Sequence, residues 1–321
     1  MIGFYAHHHG SGHVHRCRAI MAHLGEDAQL LSTDPRADVV LPDDAPAPGG
    51  APDGPREDVS ANGTLHYVPR HRAGLSQRMA LIAAWIDEHR PAAFHVDVSV
   101  EVALLVRLLG VPVVTLAMPG DRPDAAHQLG YRQSVAILAA WPDWVPVPGH
   151  LREHEDRLHP VGGISRFRAP TGALPDCDVA VLSGRGGTDW NAEQWDEVEA
   201  ACPDRDFVFL GRDTFVEDPM PYLCSANVVV SAAGQNSIAD IALASVGALI
   251  LPQERPFAEQ HASASLLDAA GLAVVAHSFP PAREWPSLLK QAETLNSRWS
   301  RWQTSGAAAR AADVIRKVAQ L

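Results

Sequence analysis

Two short stretches hold the residues best suited to chemistry. One is Ala6-His7-His8-His9-Gly10-Ser11-Gly12-His13-Val14-His15-Arg16, followed by apolar residues at helical spacing. The other is Ala233-Gly234-Gln235-Asn236-Ser237, which runs straight into a helical pattern from Ile238. Each follows a short apolar strand. A strand that ends in a glycine turn and enters a helix aims unpaired N–H groups and the positive end of the helix dipole at one spot, which suits a phosphate. A third turn of this kind, Ser183-Gly184-Arg185-Gly186-Gly187-Thr188, follows the strand Asp178–Leu182. Its glycines allow close approach of a diphosphate, with Arg185 and the Thr188 hydroxyl as donors.

His13 is the candidate base. A neutral imidazole at a helix start can take a proton from a hydroxyl at physiological pH, and Asp97, at the exit of another strand on the same sheet edge, is placed to orient it. The alternatives stay open: His13 as a hydrogen-bonded turn residue, Asp97 as a cap on the following helix. Five histidines in nine residues also invite a metal reading. His7, His8, His9, His13 and His15 lack both the i, i+4 helical spacing and the cysteine partners of strong zinc motifs, so no metal is expected. The first turn lacks the third glycine and the acidic strand end of a dinucleotide fingerprint, so no such cofactor is expected.

The elements that must hold these groups alternate as strand, helix, strand. In the first half, strands are expected at 1–5, 29–32, 65–68, 93–98, 111–117 and 143–147, with helices over 74–89, 99–109 and 133–140. In the second half, strands at 178–182, 207–210, 228–230 and 248–251 alternate with helices, and the tail from Trp285 is helical. Parallel strands with helical crossovers give an α/β fold of two Rossmann-like, doubly wound domains with a cleft between them. The expected division is 1–160 on the acceptor side, 161–300 for the donor, and a terminal helix over 301–321 that packs back across a hinge. Thr33 to Gly63, dense in Pro, Gly and Asp, reads as a long surface loop.

The chain has 321 residues and a net charge of −12, which argues against a nucleic-acid backbone as partner. Apolar residues make up 46%, enough for a sizeable core. No signal peptide and no membrane-length apolar run is legible, which points to the cytoplasm and leaves only peripheral membrane contact open. Cys17, Cys177, Cys202 and Cys224 have neither metal-like nor disulfide-like spacing and read as buried thiols.

On these motifs the chain resembles the GT-B glycosyltransferases, nearest the branch holding the peptidoglycan N-acetylglucosaminyltransferase that forms lipid II. Gly10-Ser11-Gly12-His13 is similar to that branch's glycine-glycine-histidine turn, Ser183–Thr188 to its diphosphate-side loop, and Phe215–Gln260 to its donor half. The resemblance implies a nucleoside-diphosphate sugar, by family habit a UDP-sugar, as donor, an unidentified acceptor, and inverting, metal-independent transfer. It implies that Phe215 and Val216 hold the base, that Gly12 lies at the catalytic turn, and that Ser183, Gly184, Arg185, Gly186, Thr188, Gly234, Gln235, Asn236 and Ser237 take the phosphates. Asp240 would accept from the ribose hydroxyls, where the family has Glu. Glu259 and Gln260 would meet the sugar, where the family has two amides. The first motif, with Arg16-Cys17 after it, also resembles the nucleotide-sugar hydrolase of the pseudaminic acid pathway, which hands the sugar to water. A non-catalytic donor-binding subunit is the third reading.

Overall fold

The computed structural model describes residues 1–7, 12–44, 58–183, 187–211, 214 and 216–320. Two parallel sheets organise them. The first contains β1 (Ile2–Ala6), β2 (Ala28–Ser32), β3 (Val39–Val40), β4 (Ala93–Asp97), β5 (Val113–Ala117), β6 (Ala136–Ala139) and β7 (Leu158–Pro160), in the order β3-β2-β1-β4-β5-β6-β7. Its crossover helices are α1 (Gly12–Met21), α2 (Ala73–His89), α3 (Val100–Leu108) and α4 (Ala125–Gln133). The second contains β8 (Val179–Leu182), β9 (Phe207–Leu210), β10 (Val228–Ser231), β11 (Gly247–Ile250) and β12 (Val274–Val275), in the order β12-β11-β10-β8-β9. Around it lie α5 (Ala192–Ala201), α6 (Met220–Ser225), α7 (Gln235–Ala244), α8 (Glu259–Ala269) and α9 (Trp285–Glu293), and α10 (Ala307–Val318) ends the chain.

The strand pairs among the described residues are parallel, and the central strands β1, β4, β5, β6, β10 and β11 are buried on both faces and read as largely apolar runs. Val228, Val229 and Val230 of β10 are fully buried, and each such side chain is worth roughly 1.5–3 kcal/mol in burial. Both sheets reverse direction of winding at their middle. In the first sheet the reversal lies between β1 and β4, in the second between β8 and β10. A crevice opens outside the carboxyl ends of the strands at such a switch point, and the glycine turns follow β1, β8 and β10.

The terminal helix α10 returns to the first sheet. Its Ala311, Ala312, Ile315 and Val318 are buried in one core with Val14, Cys17 and Ile20 of α1. Before it, Trp299 and Trp302 are buried with the second sheet's α7 and α8, so the tail passes from one core to the other.

Three local expectations fail. Residues 133–140 hold the end of α4 and the strand β6, not a helix; the buried run Ala-Ile-Leu-Ala is too short for periodicity to separate the two. Residues 143–147 are not the last strand. The sheet ends instead at β7, while the Trp144 indole donates to the Arg301 carbonyl. Residues 65–68 are not a strand either: the N–H groups of Leu65 and Val68 go to Ser60 and Val59, within the loop. The polar stretch 120–131 contains α4, capped by Asp124, whose carboxylate accepts from the His127 N–H. Within the 33–63 loop, Val39–Val40 adds a strand and the buried Arg78 holds Asp44 at 2.7 Å; residues 45–57 lie outside the described residues.

Candidate active site

His13 lies in the first turn of α1, directly after the β1 turn, and Asp97 is the last residue of β4, β1's neighbour. The switch point therefore brings together two residues 84 positions apart: His13 Nδ1 is 2.9 Å from Asp97 Oδ1. Asp97 is completely buried, while the His13 side chain keeps 17% of its exposure. Burial by itself would push the Asp97 carboxyl up. The charges of Arg16 and His13 and their hydrogen bonds outweigh it and hold the group well below the usual carboxylate range. Against Arg16 Nη2, a donor 3.0 Å from the same nitrogen, the ionised Asp97, which only accepts, favours the proton on Nδ1 and the lone pair on Nε2. That is the tautomer a general base needs.

Val98, the next residue, has φ +57°. A β-branched residue in the left-handed region is strained by about 1–3 kcal/mol. The kink turns the chain out of β4 and lets Ser99 cap α3 through the Val102 N–H.

A third residue, missed in the sequence, completes the group. Arg16, 3% exposed, grips Asp97 with two parallel bonds, Nε to Oδ2 and Nη2 to Oδ1, each 2.9 Å. Its Nη2 also stands 3.0 Å from His13 Nδ1. Its remaining arm, Nη1, crosses to the other half and donates to Gln235 Oε1 at 3.0 Å and more loosely to Asn236 Oδ1 at 3.4 Å. The available signal was its spacing: three positions after His13 on one helix puts both on one face.

Gln235, Asn236 and Ser237 form the first turn of α7, and Gly234 precedes it with extended backbone and no side chain to cap the helix. The N-terminal N–H groups thus face the crevice. A Cβ on Gly12 would overlap the Asn236 amide nitrogen, so glycine is what lets the two turns approach this closely. From the other turn, Gly184, Arg185 and Gly186 lie outside the described residues, as do Gly10, Ser11 and Phe215. Its flanks are tied to the loop after β11: the Arg255 guanidinium donates to the Gly187 carbonyl and the Asp189 N–H to Gln253 Oε1, on either side of Thr188. Ser183 continues β8 by donating its N–H to Leu210. Val216 packs on the second core.

Three donor-side expectations meet side chains already engaged. Asp240, the expected ribose contact, is buried and accepts from Ser165 Oγ at 2.6 Å. Burial pushes its carboxyl up to about 7, against the pull of the Ser165 bond and Arg166. Glu259 accepts from Arg122 Nη2 at 3.0 Å, a contact from the first half of the chain. Gln260, in the first turn of α8, turns its Oε1 to the Gln253 N–H in the loop before that helix. Around Glu259 the two halves are clasped: Arg122 lies over the Phe257 ring, and the Asp121 N–H donates to the Phe257 carbonyl. Gly120, at φ +95°, permits this approach, since a Cβ there would strike that same carbonyl.

Two clusters have metal-ligand composition among the described residues, Cys17–His95–Asp97 and His66–Asp124–His127. In the first, both Asp97 oxygens are saturated by Arg16 and His13, and burial raises the Cys17 thiol well above its usual range. In the second, Arg122 Nη1 meets His127 Nε2 at 3.1 Å. Arginine only donates, so that nitrogen holds the lone pair and Nδ1–H faces Asp124 at 2.6 Å. The lone pair points away from the cluster, which is the wrong tautomer for a shared metal.

No protein-family profile matches the sequence, and no curated protein matches it. Solved structures do. The glycotransferase of kitacinnamycin superposes with a TM-score of 0.70 at 19% identity, covering 99% of this chain and 98% of that one. A UDP-glucosyltransferase from Polygonum tinctorium capable of glucosylating indoxyl gives 0.67 at 14% identity, over 100% and 99%. MurG of Acinetobacter baumannii gives 0.62 at 15% identity, over 98% and 99%. The architecture is therefore that of the GT-B glycosyltransferases, over the whole chain. Among the described residues, no helix is long and apolar enough to cross a membrane.

Proposed function

We propose that this protein moves a sugar from a nucleoside-diphosphate sugar to an acceptor hydroxyl, with inversion at the anomeric carbon. The observation that carries the reading is the His13–Asp97–Arg16 group, which ends on Gln235 and Asn236 at the start of α7. A base sits on one half of the molecule, a ready anion site on the other, and they meet. In this reading His13 Nε2 takes the acceptor's proton as its oxygen attacks. Asp97 stabilises the imidazolium that forms, and its buried charge holds the ring in place. The nucleoside diphosphate leaves into the α7 turn and the Ser183–Thr188 turn, whose N–H groups stabilise the growing charge. Helix-end contacts of this kind can take the place of a metal ion, and the donor half's two Asp-x-Asp triplets, Asp176–Asp178 and Asp204–Asp206, stand before β8 and β9, at the opposite ends of the strands from the α7 turn.

The domain division at 160 and 300 belongs to the same reading. Uridine as the base is supported by the neighbour that is a UDP-glucosyltransferase, and the cytoplasm is the natural setting for such donors. Asp240, beside Ser165 and Arg166, is offered as the ribose contact, and Gln260 as the sugar contact.

His13→Ala should cut turnover about a hundred- to ten-thousandfold while UDP still raises the melting temperature by mass action. Unchanged turnover would remove the base from the scheme. Incubating UDP-sugars without acceptor separates transfer from hydrolysis, since rapid release of free sugar would mean that water is the true acceptor. Nucleotide affinity with no turnover under any acceptor would leave a binding protein.

A further inference from the structure

Arg16 is unusual for a surface-crevice residue. It is buried, it carries full charge, and all three nitrogens are engaged, Nε and Nη2 by Asp97 and Nη1 by Gln235. Burial would weaken its charge, but Asp97 more than offsets this and raises its basicity. We infer that Arg16 is a positioning residue that balances the Asp97 charge beside the imidazole and ties the base to the donor turn through Gln235. The inference rests on the reading of His13 as the base.

The physical case has two parts. Alone, a fully buried carboxylate 2.9 Å from Nδ1 favours the imidazolium form, in which Nε2 holds a proton and cannot act as a base. Arg16, bidentate on the same carboxylate and 3.0 Å from the same nitrogen, opposes that. The pair keeps the orienting hydrogen bond while cancelling much of the field. The second part is geometric. The fork is planar and rigid, so Nη1 on Gln235 and the bidentate pair on Asp97 fix each other. The base is thereby held in register with the helix end that receives the leaving group.

The groups facing this cluster come from several elements. Asp97 and His95 come from β4, and His7 from the end of β1 with its ring 6.4 Å from that of His13. Cys17 comes from α1, and Met118, its sulfur 4.0 Å from Nη2, follows β5. Across the crevice α7 presents only the neutral amides of Gln235 and Asn236, while Glu259 acts on Arg16 from farther away. His95 is pushed down to about 4 by burial and stays neutral. No other cation stands in for Arg16 among these groups.

Two variants test it. Arg16→Gln removes the charge but keeps amide donors for Asp97; Arg16→Lys keeps the charge but cannot span Asp97 and Gln235 together. In Arg16→Gln, the His13 imidazole, followed by NMR, should titrate at least about one pH unit higher than in the native protein, and the acid limb of the rate profile should move with it. In Arg16→Lys the midpoint should hold while kcat falls about tenfold and the melting shift given by UDP is kept. An unmoved midpoint in folded Arg16→Gln overturns the inference. If that variant does not fold, native kcat in Arg16→Lys overturns it. The NMR midpoint needs no turnover, so it is read apart from the transfer assay. Absence of transfer by the native protein would count against the proposed function, not against the role of Arg16.

Discussion

Replacing Asp97 by asparagine is the sharpest perturbation the site allows. The side chain keeps its shape, yet three contacts change at once. The native carboxylate accepts from His13 Nδ1, Arg16 Nε and Arg16 Nη2, all at 2.9 Å and out of water. An amide offers one acceptor oxygen and turns a donor nitrogen towards groups that also donate. Arg16 is left buried with an unbalanced charge, and breaking a buried ion pair on one side costs about 3–5 kcal/mol. For a lobe of roughly 160 residues that lowers the melting temperature on the order of ten degrees. The imidazole meanwhile loses the partner that keeps its proton on Nδ1, so turnover should fall about a hundred- to ten-thousandfold. The pH dependence gives an independent check. The folded-state pKa of Asp97 lies below its unfolded value, so its contribution is present above about pH 4 and is lost as the pH falls further. Asp97→Asn should therefore remove part of the acid destabilisation expected of the native protein. Thermal unfolding between pH 3 and 8, with turnover at pH 7.5, tests both. Native stability and native turnover together would refute the claim that Asp97 holds this site.

Gly12→Ala should displace the Asn236 amide, which is flexible enough to move, so nucleotide affinity should fall severalfold in calorimetric titration while the melting temperature changes little. Asp240 works in the opposite sense to Asp97. Its folded pKa is raised to about 7, so stability is fullest below about pH 4 and declines as the pH rises through 7. Asp240→Asn should flatten that decline and stabilise the protein at pH 8, as read by chemical denaturation. A double-mutant cycle on Arg122→Met and Glu259→Gln should give a coupling of about 1–2 kcal/mol, because the guanidinium is nearly buried and the carboxylate only partly exposed. Additive effects would mean that this clasp holds nothing.

What the chain alone determined was local. Strand, glycine turn and helix are short-range patterns, and β1 with α1 and β10 with α7 were legible because each motif lies within about twenty residues. His13 and Asp97 were legible for the same reason: each stands at a strand exit, and a parallel sheet puts all such exits on one edge. Short buried runs were less secure, since Ala-Ile-Leu-Ala suits strand or helix until a neighbour on each side makes it β6. Only the tertiary structure decided the pairings. Arg16 meets Gln235 across 219 residues, Arg122 meets Glu259 across 137, and Ser165 meets Asp240 across 75. No period or spacing encodes those distances. They exist because two sheets, each with its own switch point, face their strand ends towards one crevice. Charges placed there lose water unless they find each other, and that cost selects the partners.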